Sequence, residues 1–279
     1  MDLKILQNTP PWEWPEDASA TFLNVLRDTQ AAEPDRLLAA EFAGDFVAIN
    51  DELVAALLTV LRNDVEPEKL RAQAAISLGP VLEHADTDGF ADPDDVPITE
   101  RTFHAIQQTL HQLYLDAGVP KAVRRRILEA SVRAPQDWHA DAARTAFDSS
   151  DEEWKLTAVF CMQFVRGFDG QILAALNSKN PDIHYEAVCA AGAWAVDASW
   201  PHISALVRSK RTDKQLLLAA IEAVAWIRPQ EAAELLVDLM DSADEDIAEA
   251  AYEALAMAGG SLGEDDDADD DDDEDEPRR

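Results

Sequence analysis

The segment Pro181-Asp182-Ile183-His184-Tyr185-Glu186-Ala187 decides the fold, because related segments recur along the chain at a nearly fixed spacing. The recurring positions are Leu70, Val123, Trp154, Ile183, Gln215 and Ile247, which are 53, 31, 29, 32 and 32 residues apart. Such a period is typical of stacked helical units, none of which can bury its apolar face alone. No stretch alternates as a β-strand would. We therefore predict an all-α solenoid of about seven antiparallel helix pairs over residues 17–258.

Helix-start residues support this division into pairs. Proline or aspartate begins most of the second helices, where a missing N–H costs nothing and a carboxylate satisfies free backbone donors. On this basis Pro120 begins a helix over 121–133, and Pro181 begins one over 181–195. Residues 1–16 contain three prolines and are predicted to form an extended arm. We expect Trp12 and Trp14 to cover the apolar end of the first pair, with docking on another chain as the alternative.

The second helices resemble those of a known repeat family. The pattern Pro/Asp-x-x-Val/Ile/Leu-Arg-x-x-Ala is approximated by Pro67-Glu68-Lys69-Leu70-Arg71, Pro120-Lys121-Ala122-Val123-Arg124 and Pro181-Asp182-Ile183-His184. It resembles the second helix of HEAT repeats, and is most similar to the short repeats of about 30 residues named after phycobilisome lyases. The resemblance covers residues 45–258 and implies a right-handed α-solenoid. Gln215 and Ala248 depart from the pattern in the later repeats.

Charge limits the classes of partner. The formal net charge is −33, and 12 of the 13 residues of 264–276 are acidic. Subtracting those 12 carboxylates and the two terminal arginines leaves −23 for the remaining chain. Such a surface repels nucleic acids and anionic membranes, so we expect neither as a partner. Residues 259–279 are predicted to be a disordered acidic tail, either a solubilising segment or a docking arm.

The compartment follows from cysteine usage and from the absence of targeting signals. Cys161 and Cys189 form no Cys-x-x-Cys pair, and we expect both to be reduced and buried. Residues 1–11 lack the features of a signal peptide, and the longest apolar run is too short to span a bilayer. We therefore expect a cytoplasmic protein.

Aligning the second helices predicts a binding groove on the concave face. Two positions of each helix face outward there, and in three consecutive repeats they are apolar: Leu156 and Phe160, Tyr185 and Cys189, Leu217 and Ile221. In the flanking repeats these positions carry charged residues. An apolar strip bounded by charge suits a helix or an extended peptide from a partner. The alternative is that neighbouring helices bury these side chains.

Four basic residues form a cluster in the middle of the chain: Lys121, Arg124, Arg125 and Arg126. Three consecutive arginines span about 200° of a helix, so they do not act on one face. Pairing with nearby carboxylates is the first interpretation. A site for an acidic peptide or a phosphate is the second.

An acidic insertion over 84–98 lengthens one repeat interval to 53 residues. Its carboxylates Asp86, Asp88, Asp92 and Asp95 partly match the spacing of a calcium-binding loop, although His84 replaces the first aspartate and Asp95 the final glutamate. Because of these departures, a solvated acidic loop that holds no metal is the first interpretation, and a calcium site is the alternative.

Catalytic motifs are absent from the sequence. No histidine is followed by glutamate, as the metal ligands of HEAT-like hydroxylases require, and no glycine-rich phosphate loop appears. We predict a non-enzymatic scaffold without a cofactor, whose concave face binds another protein through a basic or amphipathic segment. The alternatives are a HEAT-like lyase or chaperone subunit acting on a cofactor-bearing protein, and a metal-responsive scaffold.

Overall fold

A computed structural model describes residues 3–92 and 95–261. Within these ranges the regular structure is entirely helical, with no β-strand, which confirms the predicted all-α class. The chain divides into two compact units, Met1–Arg166 and Gly167–Arg279. None of the described helices is both long and apolar enough to cross a bilayer.

The first unit is built from successive helical hairpins. The helices are α1 (Leu3–Leu6), α2 (Ala18–Arg27), α3 (Glu33–Phe42), α4 (Asp51–Arg62), α5 (Glu68–Ile76), α6 (Gly79–Asp88), α7 (Glu100–Leu115), α8 (Lys121–Ser131), α9 (Asp137–Phe147) and α10 (Glu152–Cys161). The second helices of the hairpins pack one upon the next in the order α3, α5, α8 and α10, and the first helices α2, α4 and α7 do likewise.

The second unit repeats the arrangement with three hairpins. The helices are α11 (Asp169–Ala175), α12 (Pro181–Ala193), α13 (Trp200–Arg208), α14 (Lys214–Ile227), α15 (Pro229–Leu236) and α16 (Glu245–Ser261). Helix α12 packs on α14 and α14 on α16, while α13 packs on α15 in the layer of first helices.

The N-terminal segment is not a simple extended arm. It contains the one-turn helix α1 and a 3₁₀ turn over Pro11–Glu13. Trp14 packs against the rings of Phe22 and Phe42, with centroid distances of 5.3 and 5.1 Å, so it covers the first hairpin as predicted. Trp12 does not, because 77% of its surface is exposed.

The arginine of the repeat pattern caps the preceding helix. In three hairpins an arginine of the second helix donates to the carbonyl oxygen of the penultimate residue of the first helix. The pairs are Arg36 with Leu26 (3.1 Å), Arg71 with Leu61 (3.0 Å) and Arg124 with Tyr114 (2.9 Å). The last carbonyls of a helix lack backbone partners and carry its negative dipole end, so a guanidinium there satisfies an acceptor and opposes the dipole.

A lysine at the first position of a second helix connects two successive second helices within each unit. Lys121 Nζ lies 2.8 Å from Asp151, which caps α10, and Lys214 Nζ lies 2.7 Å from Asp244, which precedes α16. These hydrogen bonds raise the pKa of Lys214 and lower that of Asp244, so both groups stay charged near neutral pH. Both pairs are solvent-exposed, so they fix register more than they stabilise the fold.

The boundaries of the insertion and of the tail differ from the prediction. The first part of the predicted 84–98 loop is the end of α6, which runs to Asp88. Farther along, Val96 and Ile98 are nearly fully buried. Helix α16 continues to Ser261, beyond the predicted end at 258, and the acidic residues 264–276 lie outside the described ranges.

We expect Gly192→Ala to destabilise the second unit. A Cβ at Gly192 would lie 2.9 Å from both Cα and Cβ of Ala223, and only a backbone shift of α14 could relieve the clash. Overpacking of this kind costs about 1–3 kcal/mol of unfolding free energy. Gly170→Ala is the matched control, since nothing lies within 4 Å of its added Cβ. Equal urea unfolding curves for the two variants would contradict this close contact.

Buried His139 should make the first unit less stable in acid. Its imidazole is fully buried, with Nδ1 2.8 Å from the Gln136 amide and Nε2 3.0 Å from Ser131 Oγ. Burial lowers the pKa of His139 from 6.5 to about 4. Between those values the unfolded chain binds the extra proton, so this contribution is complete above pH 6.5 and is lost as pH falls towards 4.

The lost contribution amounts to about 3 kcal/mol. Urea unfolding of wild type and His139→Gln at several pH values measures it as the difference between their pH dependences. The exposed variant His104→Gln should retain the wild-type dependence. Parallel curves for wild type and His139→Gln would show that His139 contributes nothing.

Candidate functional site

Helix caps establish which residues are equivalent on the second helices of the second unit. The side chain of Asn180 accepts from the amide of Asp182 at the start of α12, and Asp213 accepts from that of Gln215 at the start of α14, each at 3.0 Å. Ile183 therefore corresponds to Leu216, three residues after the cap. The sequence alignment used Gln215 instead, which is an error of one residue and turns α14 by about 100°.

This error makes two of the predicted groove residues wrong. Ile221 is completely buried. Leu217 faces the layer of first helices, where it lines a cavity with Trp200 and Leu235. The residues of α14 that correspond to Tyr185 and Cys189 are Leu218 and Glu222.

Leu156 and Phe160 belong to the first unit, on α10. Both are half-buried. The Phe160 ring lies 5.4 Å from that of Phe164, and the Arg133 guanidinium carbon lies 5.4 Å from its centroid. These contacts with neighbouring side chains fit the alternative interpretation, burial by the surrounding structure, better than an open strip.

The second unit does contain a groove, formed by α12, α14 and α16. We call it the acidic groove. Its volume is about 550 Å³, within the range of ligand-sized clefts. Its lining residues are Tyr185, Cys189, Gln215, Leu218, Ala219, Glu222, Asp246, Glu249, Ala250, Glu253, Ala254 and Met257. Two predicted residues, Tyr185 and Cys189, are therefore brought together.

Carboxylates on α14 and α16 give the acidic groove its charge. Glu222, Glu249 and Glu253 are exposed, and no lysine, arginine or histidine of the described residues forms an ion pair with them. Asp246 differs, because it binds Lys214 at 2.6 Å. The groove thus combines a partly apolar floor with three negative charges that lack a cationic partner.

Two polar groups on the floor of the acidic groove, the Cys189 thiol and the Tyr185 hydroxyl, are neutral at pH 7. Burial, followed by the charge of Glu186, raises the pKa of the Cys189 thiol to about 12. The thiol stays protonated at neutral pH and is a poor nucleophile. Burial also raises the pKa of Tyr185, so its hydroxyl acts as a neutral hydrogen-bonding group.

The basic cluster is occupied by contacts within the first unit. Lys121 pairs with Asp151 and Glu153, Arg125 Nη1 lies 3.0 Å from Glu153, and Arg126 Nη1 lies 2.6 Å from Glu129. Arg124 caps α7 and lies over the ring of Tyr114. Lys121, Arg125 and Arg126 thus pair with carboxylates, as the first interpretation of this cluster predicts. Arg124 binds a carbonyl oxygen instead.

Buried Glu129 holds two neighbouring second helices together. It is 5% exposed, and its carboxylate accepts from Thr157 Oγ1 of α10 at 2.6 Å and from Arg126 of α8. Thr157 in turn accepts from Arg125 Nε at 2.9 Å. The charged residues at the outward positions of α8, Arg125 and Glu129, are therefore part of a polar network.

The acidic insertion does not form a calcium loop. Asp86 and Asp88 lie on helix α6, whose backbone cannot wrap around an ion. Asp88 pairs with His84 at 3.1 Å, and His84 Nε2 contacts the Asp95 carbonyl oxygen at 2.7 Å. Among the residues that the structure describes, no group of three or more His, Cys, Asp or Glu side chains could hold a metal ion, so Asp92 joins no such group.

A family model described as HEAT repeats matches residues 171–256. Residues 171–256 are therefore similar to HEAT repeats. The match runs from α11 into α16 and therefore includes all of the acidic groove except Met257. The predicted repeat family is confirmed there, whereas handedness and the number of pairs stay predictions.

Three solved structures are similar to this chain at low sequence identity. The Escherichia coli protein YibA is 14% identical, with 96% of this chain and 93% of that chain covered and a TM-score of 0.49. Human deoxyhypusine hydroxylase in complex with glycerol is 15% identical, with coverages of 92% and 88% and a TM-score of 0.41. A designed armadillo repeat protein is 14% identical, with coverages of 85% and 98% and a TM-score of 0.33. No curated protein sequence matches the chain.

We expect Glu129→Ala to cost about 3 kcal/mol of unfolding free energy, because it leaves Thr157 and two arginines without their buried partner. Arg144→Ala is the matched control: it breaks the exposed pair with Asp141 and should change stability by less than about 0.5 kcal/mol. Urea unfolding followed by circular dichroism measures both. A Glu129→Ala loss as small as that of the control would contradict the network.

Proposed function

We propose that the chain is a non-enzymatic scaffold whose acidic groove binds a cationic amphipathic segment of another protein. One observation carries the proposal: Glu222, Glu249 and Glu253 surround the floor of the groove and form no ion pair with another described residue. Lysine or arginine side chains of a partner would supply the missing charges, and its apolar face would cover Leu218 and Tyr185.

The dimensions of the groove favour a single helix or extended strand as the occupant. A volume of about 550 Å³ accommodates several side chains but no folded domain. Exposed charge pairs add little affinity individually. The apolar floor is therefore expected to contribute binding energy, and the glutamates to select the sign of the partner's charge and accelerate encounter.

Two observations favour binding over catalysis. The pKa of Cys189 near 12 makes its thiol a poor nucleophile, and Cys161 is completely buried. Covalent handling of a cofactor, as a lyase would require, is therefore less well supported than docking. The negative charge of the chain disfavours nucleic acid as the partner.

A designed helical peptide of leucine and lysine tests the proposal with a defined probe. We expect the triple variant Glu222→Gln, Glu249→Gln, Glu253→Gln to weaken its binding about tenfold, equivalent to about 1.4 kcal/mol. The matched control removes three exposed carboxylates elsewhere in the same unit, through Glu234→Gln, Asp238→Asn and Asp241→Asn. It should change affinity less than about twofold, because it lowers only the long-range attraction.

Fluorescence anisotropy at several salt concentrations measures both triple variants with the acidic tail intact. The variant Leu218→Asn tests the apolar floor separately. It should weaken peptide binding without reducing the salt dependence of the affinity. Equal losses in the two triple variants would mean that bulk charge alone attracts the peptide. That result would overturn the groove as the binding site.

A further inference from the structure

Two histidines of the second unit face each other across neighbouring hairpins. Nε2 of His184 on α12 lies 2.8 Å from Nε2 of His202 on α13, and the two rings are nearly perpendicular at 80°. Both side chains are half-buried, so an ion can still reach them from solvent. The pair is separate from the acidic groove, which neither residue lines.

His184 occupies the helix position that holds a capping arginine in the first unit. It is the fourth residue after the cap Asn180, as Arg124 is the fourth after Pro120. The capping role is taken over locally, because Asn177 Nδ2 donates to the Leu173 carbonyl of α11 at 3.0 Å. His184 is therefore not needed to cap α11, and its ring contacts another imidazole, that of His202.

The two Nε2 atoms share one hydrogen in this contact, and each is an atom type that binds metal ions when it carries no hydrogen. In the neutral pair one Nε2 carries hydrogen and the other accepts it. If the hydrogen of the donor ring moves to its Nδ1, both Nε2 lone pairs become available to one cation. Burial lowers the pKa of both histidines, which keeps the imidazoles neutral and able to coordinate at pH 7.

We propose that His184 and His202 form a two-histidine site for a divalent transition metal of the zinc, copper or nickel class. Zn–N bonds of about 2.0–2.1 Å at a tetrahedral angle separate two nitrogens by about 3.3 Å. A widening of roughly half an ångström, within reach of side-chain rotation, converts the present contact into that geometry. Imidazole donors select these metals over calcium and magnesium.

The site has open coordination positions. Among the described residues no third His, Cys, Asp or Glu joins the pair in a ligand group, so water or a donor from a bound molecule completes the coordination. Affinity should therefore be moderate and metal exchange fast. Protons compete for the same nitrogens, so metal binding weakens as pH falls.

Calorimetric titration of the full-length protein with Zn²⁺ tests the site. A salt concentration of about 1 M screens diffuse attraction of cations to the acidic surface. We expect one site in wild type that His184→Asn and His202→Asn each weaken at least tenfold. His104→Asn is the matched control, because it removes a histidine of the first unit and should leave the titration unchanged.

Two further measurements keep the outcome independent of folding and of bulk charge. Circular dichroism reports whether each variant retains its helices, and the Cu²⁺ electron paramagnetic resonance spectrum of wild type should show coupling to two nitrogens. Zn²⁺ binding of equal strength in wild type and both histidine variants would overturn the proposal. A copper spectrum with oxygen ligands alone would also overturn it.

Discussion

Close packing between successive second helices is the constraint on which the second unit depends. Gly192 of α12 and Ala223 of α14 approach so closely that no side chain larger than hydrogen fits at Gly192. Both helices also carry completely buried alanines, Ala187 and Ala191 on α12 and Ala220 on α14. Small residues of this kind allow two helices to pack closely. The acidic groove is lined by residues of the same two helices and of α16, and α12 also carries His184 of the histidine pair.

Much of the fold could be predicted from the sequence because its signals are local. Proline at helix starts predicted the first residues of α8 and α12, Lys121 and Pro181, and the predicted ends of both helices lie two residues beyond the observed ones. The sequence did not predict that residues 84–88 of the insertion are helical, as the end of α6. Helix α6 begins with Gly79-Pro80, a pair that suggests a break, yet proline is tolerated in the first turn of a new helix.

The groove was only half predictable, since exposure depends on rotation and rotation depends on register. An alignment error of one residue exchanged Leu218 for Leu217, and Glu222 for Ile221. Aligning on the caps Asn180 and Asp213 would have avoided the error, because cap position is fixed by backbone hydrogen bonds. Matching by hydrophobicity was ambiguous, since Leu216, Leu217 and Leu218 are identical in type.

Acidity has different consequences in the two units. In the first unit, cations of α8 bind carboxylates of the same hairpin or the next, and Glu129 is buried among them. In the second unit, Lys214 pairs with Asp244 and Asp246, whereas Glu222, Glu249 and Glu253 form no ion pair with any other residue that the structure describes. Unpaired like charges on adjacent helices repel each other, a cost that a cationic partner removes on binding. The electrostatic cost of the free groove thus becomes part of the driving force for occupying it.

The fourth residue after the cap of a second helix differs between the two units. Arg36, Arg71 and Arg124 are committed there to carbonyl oxygens, and losing any of them would expose a helix end. In the second unit, Asn177 and Thr212 satisfy the carbonyls of Leu173 and Leu206 from the loops. With the ends of α11 and α13 already capped, the equivalent positions hold His184 and Leu217 without cost to either helix. Function can therefore diverge where a local hydrogen bond has replaced a long-range one, and the histidine pair lies at such a position.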